Sequence, residues 1–293
     1  VNSKHIPPSE LILTEKGRIY HLDLAPGEIA HTIITVGDPD RVAQVSKRFD
    51  SLEVQRQHRE FHTHTGYCNG KRLSVISTGI GPDNIDIVLN ELDALVNIDF
   101  TSRSVKKSLT TLELVRVGTS GALQPEIPLG SFVASEIGLG FDNLIHFYEN
   151  DTTFEDEALS EAFVTHTQWN PKNSRPYAVT ADASLAERFR SMEMIFGITA
   201  TNVGFYGPQG RMLRVPLFDS QLNDKIASFE YQGKKITNLE METSAIYAMA
   251  ALLGHRALSL NAIIANRALA TFSDQPKKVV DRLIEHTLNV LTS

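Results

Sequence analysis

With 293 residues, 42% of them hydrophobic and 22% charged, the chain is long enough to bury a large α/β core and lacks the bias of a disordered segment. A formal charge of −7 excludes broad grip on a phosphate backbone, which needs a basic surface to release counterions, so no nucleic-acid partner is expected. Cys68 is the only cysteine, so no intrachain disulfide or multi-cysteine zinc site forms; no apolar run reaches membrane-spanning length, and a cytoplasmic location is expected.

The opening Val1-Asn2-Ser3-Lys4-His5-Ile6-Pro7-Pro8 has no apolar stretch of the secretion-signal kind, and a polar lead with Pro26 follows. The β-branched run at 31–36 reads as a buried strand ended by Gly37. Asp38 then caps a helix with Pro39 in its first turn, where a missing N–H costs nothing, and Arg41 projects from the same turn. Strands at 61–67 and 72–77 flank Asn69-Gly70, a hairpin signal because both residues tolerate positive φ. Residues 85–96 have helical spacing, and 97–111, with Arg103, Lys106 and Lys107, read as an exposed insertion. A strand at 112–117 leads into Gly118-Thr119-Ser120-Gly121, expected as a loop, and Phe154-Glu155-Asp156-Glu157 reads as a solvated acidic patch. Further strands are expected at 178–180, 199–203 and 258–265. A helix at 243–253 shows Ile246, Met249, Ala250 and Leu253 on one face and is stopped by Gly254; Val280, Leu283, Ile284 and Leu291 mark a closing helix. Alternating strands and helices make a sheet covered on both faces the economical α/β architecture, with the site at strand carboxyl ends. One domain over 1–293 is expected, with 1–20 as an N-terminal extension.

Several segments carry chemistry. Gly37-Asp38-Pro39-Asp40-Arg41 offers a bare N–H at a helix start and a guanidinium one turn on, suited to a tetrahedral anion or simply to a capped helix with a surface arginine. Arg116-Val117-Gly118-Thr119-Ser120-Gly121 adds a second guanidinium, hydroxyls and unhindered amides, and the two together favour inorganic phosphate. His58-Arg59-Glu60-Phe61 supplies a third arginine or an ordinary charged strand end. Glu240-Met241-Glu242 sets two carboxylates where an apolar strand becomes an apolar helix, either as acids favoured by the helix dipole or as acceptors for vicinal ribose hydroxyls. Phe205-Tyr206-Gly207-Pro208-Gln209-Gly210-Arg211 combines an aromatic face with an amide and a guanidinium that match a pyrimidine edge; the alternative is a turn with a core Phe and a snorkelling Arg. His62 and His64 share a strand face without an obvious third ligand, so no metal is assigned. Gly79-Ile80-Gly81 and Gly138-Leu139-Gly140 lack the third glycine of a dinucleotide fingerprint, and no nicotinamide cofactor is expected.

In their order and joint occurrence these segments, with Ser77-Thr78-Gly79-Ile80-Gly81, Val42 after Arg41, and Asn266-Arg267, resemble the nucleoside phosphorylase family from His21 to about Arg267. The resemblance implies a three-layer α/β/α fold with a central mixed β-sheet. It also implies a pentosyl transfer in pyrimidine salvage, with inorganic phosphate as co-substrate and no resident cofactor. Gly37, Arg41, Arg116 and Thr119 would hold phosphate, with Arg59 entering from a neighbouring subunit. Glu240, Met241 and Glu242 would form the ribose site, and His21, also from the neighbour, would meet the 5′-hydroxyl. Phe205, Gln209 and Arg211 would hold the base, with Arg267 behind them; Arg116, Glu242, Gln209 and Arg211 would stand nearest the chemistry. Glu60 and Ser77 match positions that bind a potassium ion between subunits in some relatives, a hydrogen-bonded interface carboxylate being the alternative. A homo-oligomer with shared sites follows from the same likeness.

Base choice has a physical argument as well. A departing purine wants a proton at N7, which an Asp supplies in purine-specific relatives; here the segment reads Ile264-Ala265-Asn266-Arg267, and Asn cannot deliver it. A departing uracil spreads charge onto carbonyl oxygens that Gln209 and Arg211 can meet. Uridine is therefore the expected nucleoside. A broader pyrimidine and purine nucleoside phosphorylase, a nucleosidase using water and a non-catalytic nucleoside-binding protein of the same fold are the rivals; Arg41, Arg59 and Arg116 count against water.

Overall fold

Strand β1 (Thr32–Val36) is buried along its whole length, as a strand must be when a sheet is covered on both faces. The computed structural model describes residues 5–149 and 154–293, so the first four residues of the expected extension lie outside it. After β1 come α1 (Pro39–Ser46), β2 (Ser51–His58), β3 (Phe61–Cys68), β4 (Lys71–Ser77), α2 (Pro82–Asn97) and a short hairpin of β5 (Ile98–Asp99) and β6 (Ser104–Val105). The chain continues through β7 (Glu113–Ala122), β8 (Phe132–Gly140), α3 (Glu157–Thr167), β9 (Tyr177–Thr180), α4 (Ala183–Arg188) and β10 (Met194–Thr201). It ends with α5 (Leu222–Ala227), β11 (Glu230–Tyr231), β12 (Lys234–Glu240), α6 (Thr243–Leu253), β13 (Arg256–Asn266), β14 (Thr271–Phe272) and α7 (Pro276–Thr292).

All strands but β5 and β6 join one mixed sheet, in the order β11-β12-β10-β8-β13-β7-β1-β4-β3-β2, with β14 on β13 and β9 on β8. β1 runs parallel to β4 and β7, whereas β2, β3 and β4 form an antiparallel meander. β12 also pairs antiparallel with β7 through Asn238↔Ala122 and Leu239↔Gly121, so β7, β13, β8, β10 and β12 close on themselves. That closure brings the carboxyl ends of β7 and β12 together. Residues 243–250 of α6 are buried on every side, and a Cβ on Gly138 would lie 2.9 Å from Ser244 Cα, so the helix start rests directly on β8.

The local signals hold where they concern caps and turns. Asp38 Oδ1 accepts from Asp40 N at 3.0 Å with Pro39 in the first turn, and Asn69 and Gly70 both take positive φ. Gly118 to Gly121 are not a loop but the last part of β7. β10 spans 194–201 rather than 199–203, and β2, β8 and α3 are additional elements. β2 is a largely exposed edge strand without apolar alternation, which hides it from pattern reading. Within the acidic patch, Asp156 accepts from Leu159 N at 2.9 Å and caps α3.

The N-terminal lead is not loose. Leu11, Ile19, Leu22 and Leu24 join the main core, and Ile6 N donates to Arg103 O at 2.8 Å. The Arg103 guanidinium donates in turn to the carbonyl oxygens of Ile6, Pro7 and Leu11. The 97–111 insertion is thus the clamp that holds the lead.

Candidate active site

At the carboxyl ends of β1, β7 and β12 lies a cavity of about 680 Å³. Ten of the thirteen predicted residues line it: Gly37 and Arg41 from the β1–α1 corner, Arg116 and Thr119 from β7, Phe205, Gln209 and Arg211 from the loop after β10, and Glu240, Met241 and Glu242 from the β12–α6 corner. Arg267 stands beside it, donating to Gln209 O at 3.1 Å. His21 and Arg59 are not in the lining. They lie near one another: the Arg59 guanidinium is 5.7 Å from the Tyr20 ring centre, and His58 Nδ1 is 2.9 Å from His21 O. Glu91 accepts from the N–H groups of His21 and Leu22 and meets His21 Nδ1 at 2.6 Å, fixing that ring. Arg59 holds φ at 54° in the β2–β3 turn, and the next residue, Glu60, does line the cavity. Ser77 Oγ donates to Glu60 O at 2.6 Å and accepts from His62 N.

One end of the cavity is built on a buried guanidinium. Arg116 and Gly118 share a face of β7, and a Cβ on Gly118 would sit 1.9 Å from Arg116 Nη1, so only glycine lets the guanidinium lie flat over the strand. There Nη2 meets Glu242 Oε2 at 2.5 Å and Glu240 Oε2 at 3.3 Å, and Nη1 donates to Asn261 Oδ1 at 2.9 Å. Burial opposes the Arg116 charge, but Glu240 and Glu242 outweigh it and its pKa is raised. Burial, with Glu240 beside it, pushes Glu242 up against the pull of Arg116, and Gly81 N donates to its other oxygen at 3.0 Å. Arg41 lies near Arg116; burial and then that like charge lower its pKa. Its guanidinium donates to Val117 O at 3.2 Å and has no other hydrogen bond or ion pair among the described residues. Two close guanidiniums, one without a carboxylate partner, favour a bound anion.

The two acids of Glu240-Met241-Glu242 divide the roles left open by the sequence. Glu240 accepts from Thr201 Oγ1 at 2.7 Å and from the N–H groups of Glu242 and Thr243, so its carboxylate caps α6 rather than standing free for a ribose. Glu242 is the acid whose remaining acceptor capacity serves the cavity.

At the other end the Arg211 guanidinium lies 3.8 Å from the Phe205 ring centre and donates to Phe205 O and Gln209 Oε1. Gln209 is 4% exposed, and its Nε2 has no partner among the described residues, leaving a donor for a ligand carbonyl. Asn266 is not in the lining. Its Nδ2 donates to Gln124 O and Ile127 O, and its Oδ1 accepts from Leu269 N, so it is a loop brace. Asn261, which orients Arg116, escaped sequence reading; an Asn inside the apolar run 258–265 was the signal.

The sequence pattern of the phosphorylase superfamily matches residues 31–293. The chain belongs to that superfamily. Among its relatives, the uridine phosphorylase of Thermococcus kodakarensis is 29% identical over 278 residues, covering 95% of this chain and 88% of the relative. A DeoD-type purine nucleoside phosphorylase of Oceanobacillus iheyensis is 26% identical, over 90% of this chain and 99% of its own. In three dimensions the chain is similar to a Trypanosoma brucei nucleoside phosphorylase described as showing uridine phosphorylase activity, with a TM-score of 0.86 and 27% identity, covering 96% of this chain and 99% of that one. The mixed sheet is thus the superfamily's, as the sequence resemblance implied.

Proposed function

We propose that this superfamily member is a cytoplasmic pentosyltransferase that catalyses reversible phosphorolysis of uridine to uracil and ribose 1-phosphate. The observation that carries the reading is the pair of half-buried Arg41 and buried Arg116, a set of cations suited to an anion, opening into the same cavity as Phe205, Gln209 and Arg211. Uridine phosphorylases among the relatives support it.

In the reaction a phosphate oxygen forms a bond to the anomeric carbon as the bond to uracil N1 breaks, the electron pair leaving with the base. Arg41 and Arg116 bring the dianion close to the oxocarbenium-like sugar, and holding the reactants in register supplies rate by proximity. Glu242 anchors the ribose hydroxyls. Gln209 Nε2 and the Arg211 guanidinium meet the charge growing on the uracil carbonyls. His21 and Arg59 lie outside this cavity, and we assign them to the site of a neighbouring copy in a homo-oligomer. The purine reading is disfavoured by Asn266, which is no acid and is spent on bracing a loop.

Incubating the protein with uridine or inosine, with and without inorganic phosphate, tests the assignment. Uracil and ribose 1-phosphate formed only with phosphate is the expected result; free ribose without phosphate, or inosine as the better substrate, overturns it. Mixing Arg59→Ala with Glu242→Gln protein restores turnover if sites are shared, and leaves both inactive if they are not.

A further inference from the structure

A second cavity of about 1080 Å³ lies on the far side of the loop that follows β10. The loop alternates between the two: Phe205 and Gln209 face the candidate active site, Tyr206, Gly207 and Pro208 face the second cavity, and Arg211 borders both. None of the proposed chemistry uses this space. Its charged lining is four cations, Lys172, Arg211, Arg214 and Lys225, against one acid, Asp219, in a chain whose formal charge is −7. Lys225 pairs with Asp219 at 2.8 Å, whereas Lys172 and Arg214 have no ion-pair partner among the described residues. A local excess of unpaired positive charge on an acidic protein favours an anion.

Two further observations define the ligand. Trp169 is fixed in the wall, its ring centre 4.7 Å from that of Phe141 and its Nε1 donating to Ser174 O at 2.9 Å, and with Tyr206 it offers flat apolar surface. Asn202, 1% exposed, lines the cavity, and its Oδ1 is a buried acceptor without a hydrogen-bond partner among the described residues. Such an atom costs free energy until a donor reaches it.

We propose that this cavity is a separate binding site for a small planar aromatic anion carrying an N–H, with its ring beside Trp169 and Tyr206, its N–H toward Asn202 and its acid group at Lys172 and Arg214. The cavity, at about 1080 Å³, has ample room for such a ligand.

Trp169 is the only tryptophan, so its emission reports this wall alone. The probe is 8-anilinonaphthalene-1-sulfonate, which has the ring, the N–H and a permanent negative charge and accepts excitation energy from tryptophan. Saturable energy transfer from Trp169 is expected, surviving saturating uridine plus phosphate and weakened at least tenfold in the doubly reversed Lys172→Glu, Arg214→Glu protein. Both positions are exposed, so the fold is kept, and circular dichroism confirms it. Absent transfer, transfer unchanged by the charge reversal, or transfer abolished by uridine plus phosphate each overturns the proposal. The readout is independent of turnover, so its failure is distinct from failure of the phosphorolysis reading.

Discussion

Gly118→Ala puts a methyl group where the Arg116 guanidinium lies. The added Cβ would stand 1.9 Å from Nη1 and 2.4 Å from Cζ, so the guanidinium must leave its bonds to Glu242 and Asn261. Separating a buried ion pair costs about 3–5 kcal/mol, and alanine recovers about 0.5–1 kcal/mol through the lower chain entropy of the unfolded state. Glu242, already pushed toward its neutral form by burial, sheds part of the penalty by taking a proton. The net loss is therefore about 2–4 kcal/mol, or about 4–8 °C in Tm at about 2 °C per kcal/mol for a chain of this size. Because Arg116 also lines the cavity at the proposed phosphate site, kcat/KM for phosphate should fall by about 100-fold or more. Urea unfolding followed by circular dichroism and phosphorolysis at varied phosphate measure the two effects. A variant with wild-type stability and an unchanged phosphate KM would refute the placing of Arg116 over Gly118.

Glu240→Gln keeps the side chain's shape but halves its acceptors at the start of α6, so a loss of about 1–2 kcal/mol in urea unfolding is expected; unchanged stability would deny the capping role. Arg211→Ala removes a half-exposed guanidinium bonded only to its own loop, so stability should stay within about 0.5 kcal/mol while uridine kcat/KM falls at least tenfold. Equal activity would remove the base-site assignment. Burial, and then His62, lower the pKa of His64, whose Nδ1 meets Ser46 Oγ at 2.7 Å. The fold thus prefers the neutral ring, and its contribution is present above about pH 6.5, where the unfolded chain is also neutral, and is lost as pH falls toward the lower folded value. Melts from pH 5 to 8 should show a shallower acid decline for His64→Asn than for the wild type; parallel curves would show that His64 does not contribute.

What the amino-acid order determines by itself is local. Asp38 and Pro39 start α1, Asn69-Gly70 turns a hairpin and Gly254 ends α6 because cap and turn preferences act over a few residues. The succession of short motifs identified the superfamily for the same reason, each being a compact piece of backbone chemistry. The tertiary structure decided everything that depends on partners far along the chain. Gly118 reads as a loop residue until Arg116 is seen lying over it. Glu240 and Glu242 look alike until the pairing of β12 with β7 and the seating of α6 on β8 turn one carboxylate to the helix start and leave the other against Arg116. The insertion carrying Arg103 had no purpose until it was found gripping the N-terminal lead, and the second cavity exists only because two distant loops face each other. A side chain's role is set by what desolvates and pairs it, and those neighbours are brought by closure of the sheet, not by sequence proximity.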